Sequence, residues 1–329
     1  MRINYKILWI DDQINGFLNR KDDINSYIKN MGFNPIINYY SGIQQVENER
    51  EDYNKYDLII SDFGLKKGVE GKEDETGADF IDLIRKRKVY TETILYSANN
   101  IPDKEIVEKY GYLDRVTVHR GAIRDLNDTI CSLIDITVKK TLDITSLRGL
   151  IMSETTSIDA SIERMLNNLY KHKELDGHVN PLIEDISNYI EASKVKSLKE
   201  LKTKRAQNKY KDIVENYNIF TATHKYSLLR KIIKLLPDEN GFFSDIDNKI
   251  KNYGKIIEER NDFGHHEEII NEEGLQCLKT KGKIKREIDE EYCLKLRKEI
   301  RNYYNAFEEL EKEINERCVL LKKENFNVG

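Results

Sequence analysis

The sequence predicts two domains of different class: an N-terminal doubly wound α/β domain with a parallel sheet, and a C-terminal all-α helical bundle. Three observations predict this. Short, uniformly apolar bursts alternate with amphipathic stretches before residue 120, as expected of strands buried on both faces and the helices that cover them. From about residue 123 the bursts stop, and apolar residues recur at helical spacing instead. The chain has 329 residues, roughly the length of two domains.

The strand candidates are "KILWI" (6–10), "NPIINYY" (34–40), "YDLIIS" (56–61), "ETILYS" (92–97) and the weaker "RVTVH" (115–119). Amphipathic segments at 22–31, 77–87 and 103–110 lie between them and supply the covering helices. Trp9, inside the first burst, reads as a core residue. A closing helix follows over 123–141, and residues 127–146 are assigned as the connection to the second domain. This gives domains over 1–126 and 147–329.

In the second domain, Leu147, Leu150, Ile151, Ile158, Ile162, Met165, Leu166 and Leu169 form one apolar stripe. A polar connector, "HKELDGHVNP" (172–181), carries the breakers Gly177 and Pro181, and more helix is expected over 182–235. Ser244 with Asp247 reads as a helix start of capping-box type. Ile246, Ile250, Tyr253 and Ile257 are the stripe of that helix. A last helix over about 289–317 carries Leu296, Ile300, Tyr303, Phe307, Leu310 and Ile314 on one face.

Composition bounds the function. Charged residues are 34% and hydrophobic ones 39%, with a net charge of -4. No overall basic field draws nucleic acid, which makes DNA an unsuitable partner and confines any RNA contact to a local patch. Basic runs at 194–211 and at 279–286 ("KTKGKIKR") are the candidates. Such runs are also common on solvated faces. Cys131, Cys277, Cys293 and Cys318 show no Cys-x-x-Cys spacing, which fits a reducing compartment. The N-terminal residues lack a signal-peptide core, and no apolar run approaches the roughly 18 residues of a membrane span. The expectation is a cytoplasmic protein with no membrane partner. His119, His172, His178 and His224 show no metal-ligand spacing.

Ligands of such a sheet bind at the carboxyl ends of its strands. The first strand ends in Asp11 and Asp12, the third in Asp62, and the fourth in Ser97. Converging carboxylates repel and call for a cation, and hard oxygen ligands suit Mg²⁺. A carboxylate beside Mg²⁺ can accept a phosphoryl group, and a serine hydroxyl can then hold a phosphate oxygen.

The pieces "LWIDD", "LIISDFGL", "TGADFIDLIRKR" and "ILYSAN" resemble, over about residues 5–126, the receiver domain of two-component response regulators. The resemblance implies a flavodoxin-like strand order, Asp62 as phospho-acceptor, and Asp11, Asp12 and Asp62 as Mg²⁺ ligands. It also implies Ser97 as the switch hydroxyl and a histidine kinase or other phosphodonor as partner. The family's fifth strand ends in Lys-Pro, whereas this chain has His119, Arg120 and Gly121 there. Arg120 is the candidate phosphate contact in place of the lysine. The loop "KKGVEGKEDE" (66–75) is longer than in the family. A degenerate receiver kept for docking stays open as an alternative.

The stretch "EERNDFGHHE" (258–267) places Arg260 three residues beyond Ile257, on the extension of the buried stripe. On one straight helix Arg260 and His265 point roughly 140° apart. A helix ending near Phe263, with Gly264 just past it, would let His265 fold back toward Arg260. "RNDFGH" (260–265), closing an amphipathic helix in a helical domain, resembles the HEPN superfamily (higher eukaryotes and prokaryotes nucleotide-binding domain). That resemblance implies a homodimer and RNA cleavage without a cofactor. In it His265 is the general acid or base, Arg260 stabilises phosphorane charge, and Asn261 positions the site. Imidazole chemistry near neutral pH and a bidentate guanidinium suit these roles. The reading is a receiver-controlled endoribonuclease, with a toxin or antiviral-defence role as the family resemblance implies. The alternative is a non-catalytic, phospho-dependent dimerisation or interaction protein.

Overall fold

The computed structural model describes residues 3–48, 52–65, 76–97, 114–170, 176–193, 203–204, 207, 209–216, 220–238, 240–280 and 283–326. The expected helix at 103–110 and the loop at 66–75 lie outside these residues. The chain forms two compact units, one of 2–146 with 289–298, the other of 147–288 with 299–329.

The first unit is built on five parallel strands: β1 (Asn4–Ile10), β2 (Asn34–Tyr40), β3 (Leu58–Asp62), β4 (Glu92–Tyr96) and β5 (Val116–Val118). Their order is β2-β1-β3-β4-β5, the flavodoxin-like order, and the parallel α/β sheet predicted from the sequence is the one observed. The apolar bursts form strands because both faces are covered. Ile7, Trp9, Leu58, Ile60 and Ile94 pack under Phe17, Ile24 and Ile28 of α1 (Ile14–Asn30) and Leu126, Ile130 and Ile134 of α4 (Leu126–Lys139). On the opposite face Leu8, Ile10 and Ile59 meet α2 (Ile43–Asn48) through Ile43 and Val46, and α3 (Gly77–Lys86) through Phe80 and Ile84. Each such side chain contributes about 1.5–3 kcal/mol on full burial. Thr76 starts α3 with a capping box closed by Asp79.

The helix over 126–139 therefore packs into the same core cluster as α1 and is not a free connection. The residues expected to link the domains stop being part of this unit only after Ser146. Residues 289–298, the first turns of the last helix α11 (Glu290–Phe326), also belong to this unit. Arg297 is fully buried there, its guanidinium 4.3 Å above the Phe33 ring.

The second unit carries α5 (Ile144–Leu169), α6 (Asp176–Ser193), α7 (Tyr210–Val214), α8 (Ala222–Ile233), α9 (Phe242–Ile250), α10 (Tyr253–His265) and the rest of α11. The predicted stripe of α5 is buried from Leu147 to Leu169. Glu311 of α11 takes hydrogen bonds from Ser161 and Arg164 of α5, at 2.5–2.8 Å.

Two expectations are corrected. The unit is not all-α: β6 (Glu267–Ile270), β7 (Gln276–Thr280) and β8 (Lys283–Ile288) form an antiparallel sheet in sequence order. The β6–β7 turn is set by Asn271, whose Oδ1 accepts from the main-chain nitrogens of Glu273 and Leu275 at 3.1 and 2.8 Å, and by Gly274 at φ 82°. Glu267 lies opposite Lys279, a favourable cross-strand pair. Much of the basic run 279–286 is thus sheet. The helix expected to run from Ser244 is in fact two, with Lys251 and Asn252 between them. Asp238, not Asp247, caps the first, accepting from the main-chain nitrogens of Phe243 and Ser244 at 2.9 Å. Asp247 instead receives Arg230 at 2.6 Å and Lys234 at 3.3 Å.

Candidate functional site

The sheet register brings the carboxylates together. Ile10 of β1 lies beside Ser61 of β3, and Asp62 lies beside Tyr96 of β4. The residues that follow β1 and end β3 therefore emerge at one edge. One carboxylate oxygen from each of Asp11, Asp12 and Asp62 lies within 4.8 Å of the others. Asp11 is buried, while Asp12 and Asp62 are half-buried. Burial raises the Asp62 carboxyl to about 6, and the charges of Asp11 and Asp12 push the same way, against the lowering pull of the Gly64 N–H. That N–H reaches Asp62 Oδ1 at 3.2 Å. Three crowded hard oxygens, one of them held reluctantly as a carboxylate, are a donor set that fits Mg²⁺.

Gly77 shapes the floor of this edge. A Cβ there would sit 2.1 Å from the Asp62 carbonyl oxygen and 2.5 Å from Ser61 Oγ. Its N–H donates to the Phe63 carbonyl at 3.0 Å. Only a glycine lets α3 begin this close to the end of β3.

Ser97 follows β4 directly and is half-buried. His119 turns inward at 6% exposure, with Nδ1 at 2.8 Å from Thr129 Oγ1 and Nε2 at 3.1 Å from the Ala122 carbonyl. Arg120 is exposed. Of the two residues near the family's lysine position, Arg120 is the one turned to solvent.

Sequence reasoning missed three tyrosine and tryptophan contacts at the cluster. Trp9 Nε1 donates to Tyr96 Oη at 3.0 Å. Tyr96 Oη donates in turn to Asp11 Oδ2. Tyr39 Oη donates to the Asp11 carbonyl. Tyr96 stands within "ILYSAN", yet as one more strand residue it carries no sign in the sequence of where its hydroxyl points.

In the second unit α10 does not end at Phe263. It runs through Gly264 to His265, and His266 is the first extended residue. The fold-back of His265 onto Arg260 therefore does not occur, because Gly264 is taken as an ordinary helical residue. Arg260 Nη1 donates to Asp159 Oδ2 of α5 at 2.7 Å, with the two side chains 20% and 22% exposed. Burial raises the Asp159 carboxyl, and the attraction of Arg260 only partly offsets it. Asp159 Oδ1 is buried with no partner among the described residues. Asn261 and His265, one helical turn apart, are exposed. Glu259 pairs with Arg286, and Asp262 with Lys285 at 2.5 Å, so the basic hairpin is tied along this helix. No sequence signal could have indicated Asp159, which lies 101 residues from Arg260.

No protein-family model matches the sequence, and no curated protein matches it. Among solved structures, the chain is similar over its N-terminal part to receiver domains. One is the signal receiver domain of a putative Luxo repressor protein from Vibrio parahaemolyticus, at 17% identity over 42% of this chain and 95% of that one, with a TM-score of 0.29. Another is a CheY-like response regulator receiver domain protein from Methanospirillum hungatei JF-1, at 18% identity over 42% and 98%, with a TM-score of 0.28. A third is a response regulator receiver domain protein from Clostridium thermocellum, at 22% identity over 42% and 99%, with a TM-score of 0.29. The receiver-type fold of the first unit rests on its own strand order and helix placement.

Proposed function

We propose that the chain is a phosphoryl-accepting switch whose second, mainly helical unit delivers the output. The observation that carries this reading is the convergence of Asp11, Asp12 and Asp62 at the carboxyl edge of a 2-1-3-4-5 sheet, within 4.8 Å of one another. A carboxylate oxygen of Asp62 attacks the phosphorus of a donor, a histidine kinase or a small acyl phosphate, and the donor's bond to phosphorus breaks. Asp11, Asp12 and Asp62 would hold Mg²⁺, which when bound would supply positive charge against the negative charge that gathers there. Ser97, just past β4, and Arg120, just past the neighbouring β5, would receive phosphoryl oxygens, the arginine with a fork of donors. Incubation with labelled acetyl phosphate and Mg²⁺ tests this. Label is expected on the wild-type chain and lost in Asp62→Asn; label that persists on the variant refutes the acceptor.

For the output we propose RNA cleavage by Arg260, Asn261 and His265 in a homodimer, with no cofactor. Its support is the exposure of Asn261 and His265 on one face of α10, beside a basic hairpin. The general acid or base is then the solvent-facing imidazole. Arg260 lies in an ion pair on another side of the helix, so a complete site needs the facing motif of a second copy or release of Arg260 from Asp159. Cleavage of bulk RNA by purified protein, compared with His265→Ala, tests it. Equal cleavage by both leaves the rival reading, a helical interaction module without catalysis.

A further inference from the structure

Asp11 is the most buried of the three clustered carboxylates, at 4% exposure. A buried carboxylate needs donors for both oxygens, and it has one for each. Oδ1 accepts the main-chain N–H of Gln13 at 2.7 Å. Oδ2 accepts the hydroxyl of Tyr96. These two bonds leave the carboxyl one orientation.

Tyr96 is itself fixed. It is 4% exposed, and its Oη receives the Trp9 indole N–H at 3.0 Å, which leaves the phenol proton for Asp11. The Trp9 and Tyr96 rings meet edge to face at 6.3 Å. Since β3 lies between β1 and β4, the Tyr96 side chain spans an intervening strand to reach Asp11. Its main chain serves the same edge, because its carbonyl accepts the N–H of Phe63, the residue after Asp62, at 2.7 Å.

We infer that Tyr96 is a positioning residue of the cation site: its hydroxyl aims the Asp11 carboxylate for a divalent cation. This inference rests on the phosphoryl-switch reading, in which Asp11, Asp12 and Asp62 hold Mg²⁺. Groups that orient a ligating carboxylate typically govern metal affinity by about 10–100-fold. Tyr96→Phe keeps the ring and removes the hydroxyl, and with it both the donor to Asp11 and the acceptor of the Trp9 N–H. Trp9→Phe removes the indole N–H but leaves the Tyr96 hydroxyl to donate to Asp11. The two variants therefore share the loss of the Trp9–Tyr96 bond and differ at Asp11.

Isothermal titration of Mg²⁺ into the full-length chain separates the outcomes, with thermal melting run alongside. The expected result is Mg²⁺ binding by the wild type, a loss of about tenfold or more in Tyr96→Phe, and a change below about threefold in Trp9→Phe, although Trp9→Phe also lowers the melting temperature. Equal affinity in wild type and Tyr96→Phe overturns the positioning role and leaves the switch reading intact. Equal losses in both variants also overturn it, since the effect would then be one of general packing. A wild-type chain that binds no Mg²⁺ overturns the switch reading and the inference with it.

Discussion

Arg260 and Asp159 form a 2.7 Å ion pair between α10 and α5, each side chain about four-fifths buried. The cation at the end of an apolar stripe is thereby explained as a structural partner as well as a candidate for chemistry. Removing one member strands the other in a poorly solvated place. Arg260→Ala is expected to lower stability by about 1–3 kcal/mol, a figure reduced from that of a fully buried pair by the residual exposure. Chemical denaturation measures it. Asp159→Asn, which keeps an acceptor and removes the charge, is expected to cost less; a larger cost for Asn than for the Arg260 deletion contradicts this account.

Of the residues proposed for RNA cleavage, His265 is the better probe because it is exposed. His265→Ala is expected to leave stability within about 0.5 kcal/mol of wild type while abolishing RNA cleavage. An Arg260 variant loses activity through misfolding or through chemistry alike. An inactive His265→Ala that melts with the wild type isolates the chemical role.

Gly264 tests the continuity of α10. It lies inside the helix, and a Cβ there would meet nothing within 4 Å. Gly264→Ala should therefore stabilise the unit by about 0.5–1 kcal/mol. Had the helix ended there with a left-handed glycine, the same change would be destabilising. A lower denaturation midpoint in the variant would count against the continuous helix.

Asp62 gives a pH signature in chelator, without divalent cation. Its folded-state carboxyl titrates at about 6, against 3.8 for an unperturbed group. The folded state holds the proton more tightly, so this group favours folding below about 3.8 and the advantage is lost as pH rises to about 6. At pH 7.5 the ionised group costs stability. Asp62→Asn should raise stability there by on the order of 1–2 kcal/mol, and the gain should shrink toward pH 4. Melting curves at the two pH values decide it; a gain that grows on acidification has the wrong sign.

Gly77→Ala forces a methyl group to within 2.1 Å of the Asp62 carbonyl oxygen. Neither main chain can give way cheaply, so a loss of about 1–3 kcal/mol is expected. The acceptor loop must shift, and acetyl phosphate labelling of Asp62 is expected to fall. Unchanged labelling and melting would show that the β3–α3 junction tolerates the displacement.

The five strands and the carboxylates at their ends were legible in the sequence. Runs such as "KILWI" and "LIIS" are apolar on both faces, which only a covered parallel sheet accommodates. The topology of such a sheet then carries the strand ends, with Asp11, Asp12 and Asp62, to one edge. The small sheet at 267–288 was not legible in the sequence, which reads as helical throughout this domain. A charged stretch such as "KTKGKIKR" has no apolar alternation to mark it as strand.

What the sequence determined by itself, then, was burial, because periodicity is a local property and each apolar residue needs only some covering partner. What the tertiary structure alone decided was the identity of polar partners. Tyr96 reaches Asp11 across β3, Asp159 meets Arg260 from 101 residues away, and α10 continues through Gly264 instead of turning His265 back. A buried polar group requires one donor or acceptor at one distance and angle, and only the packed chain places it.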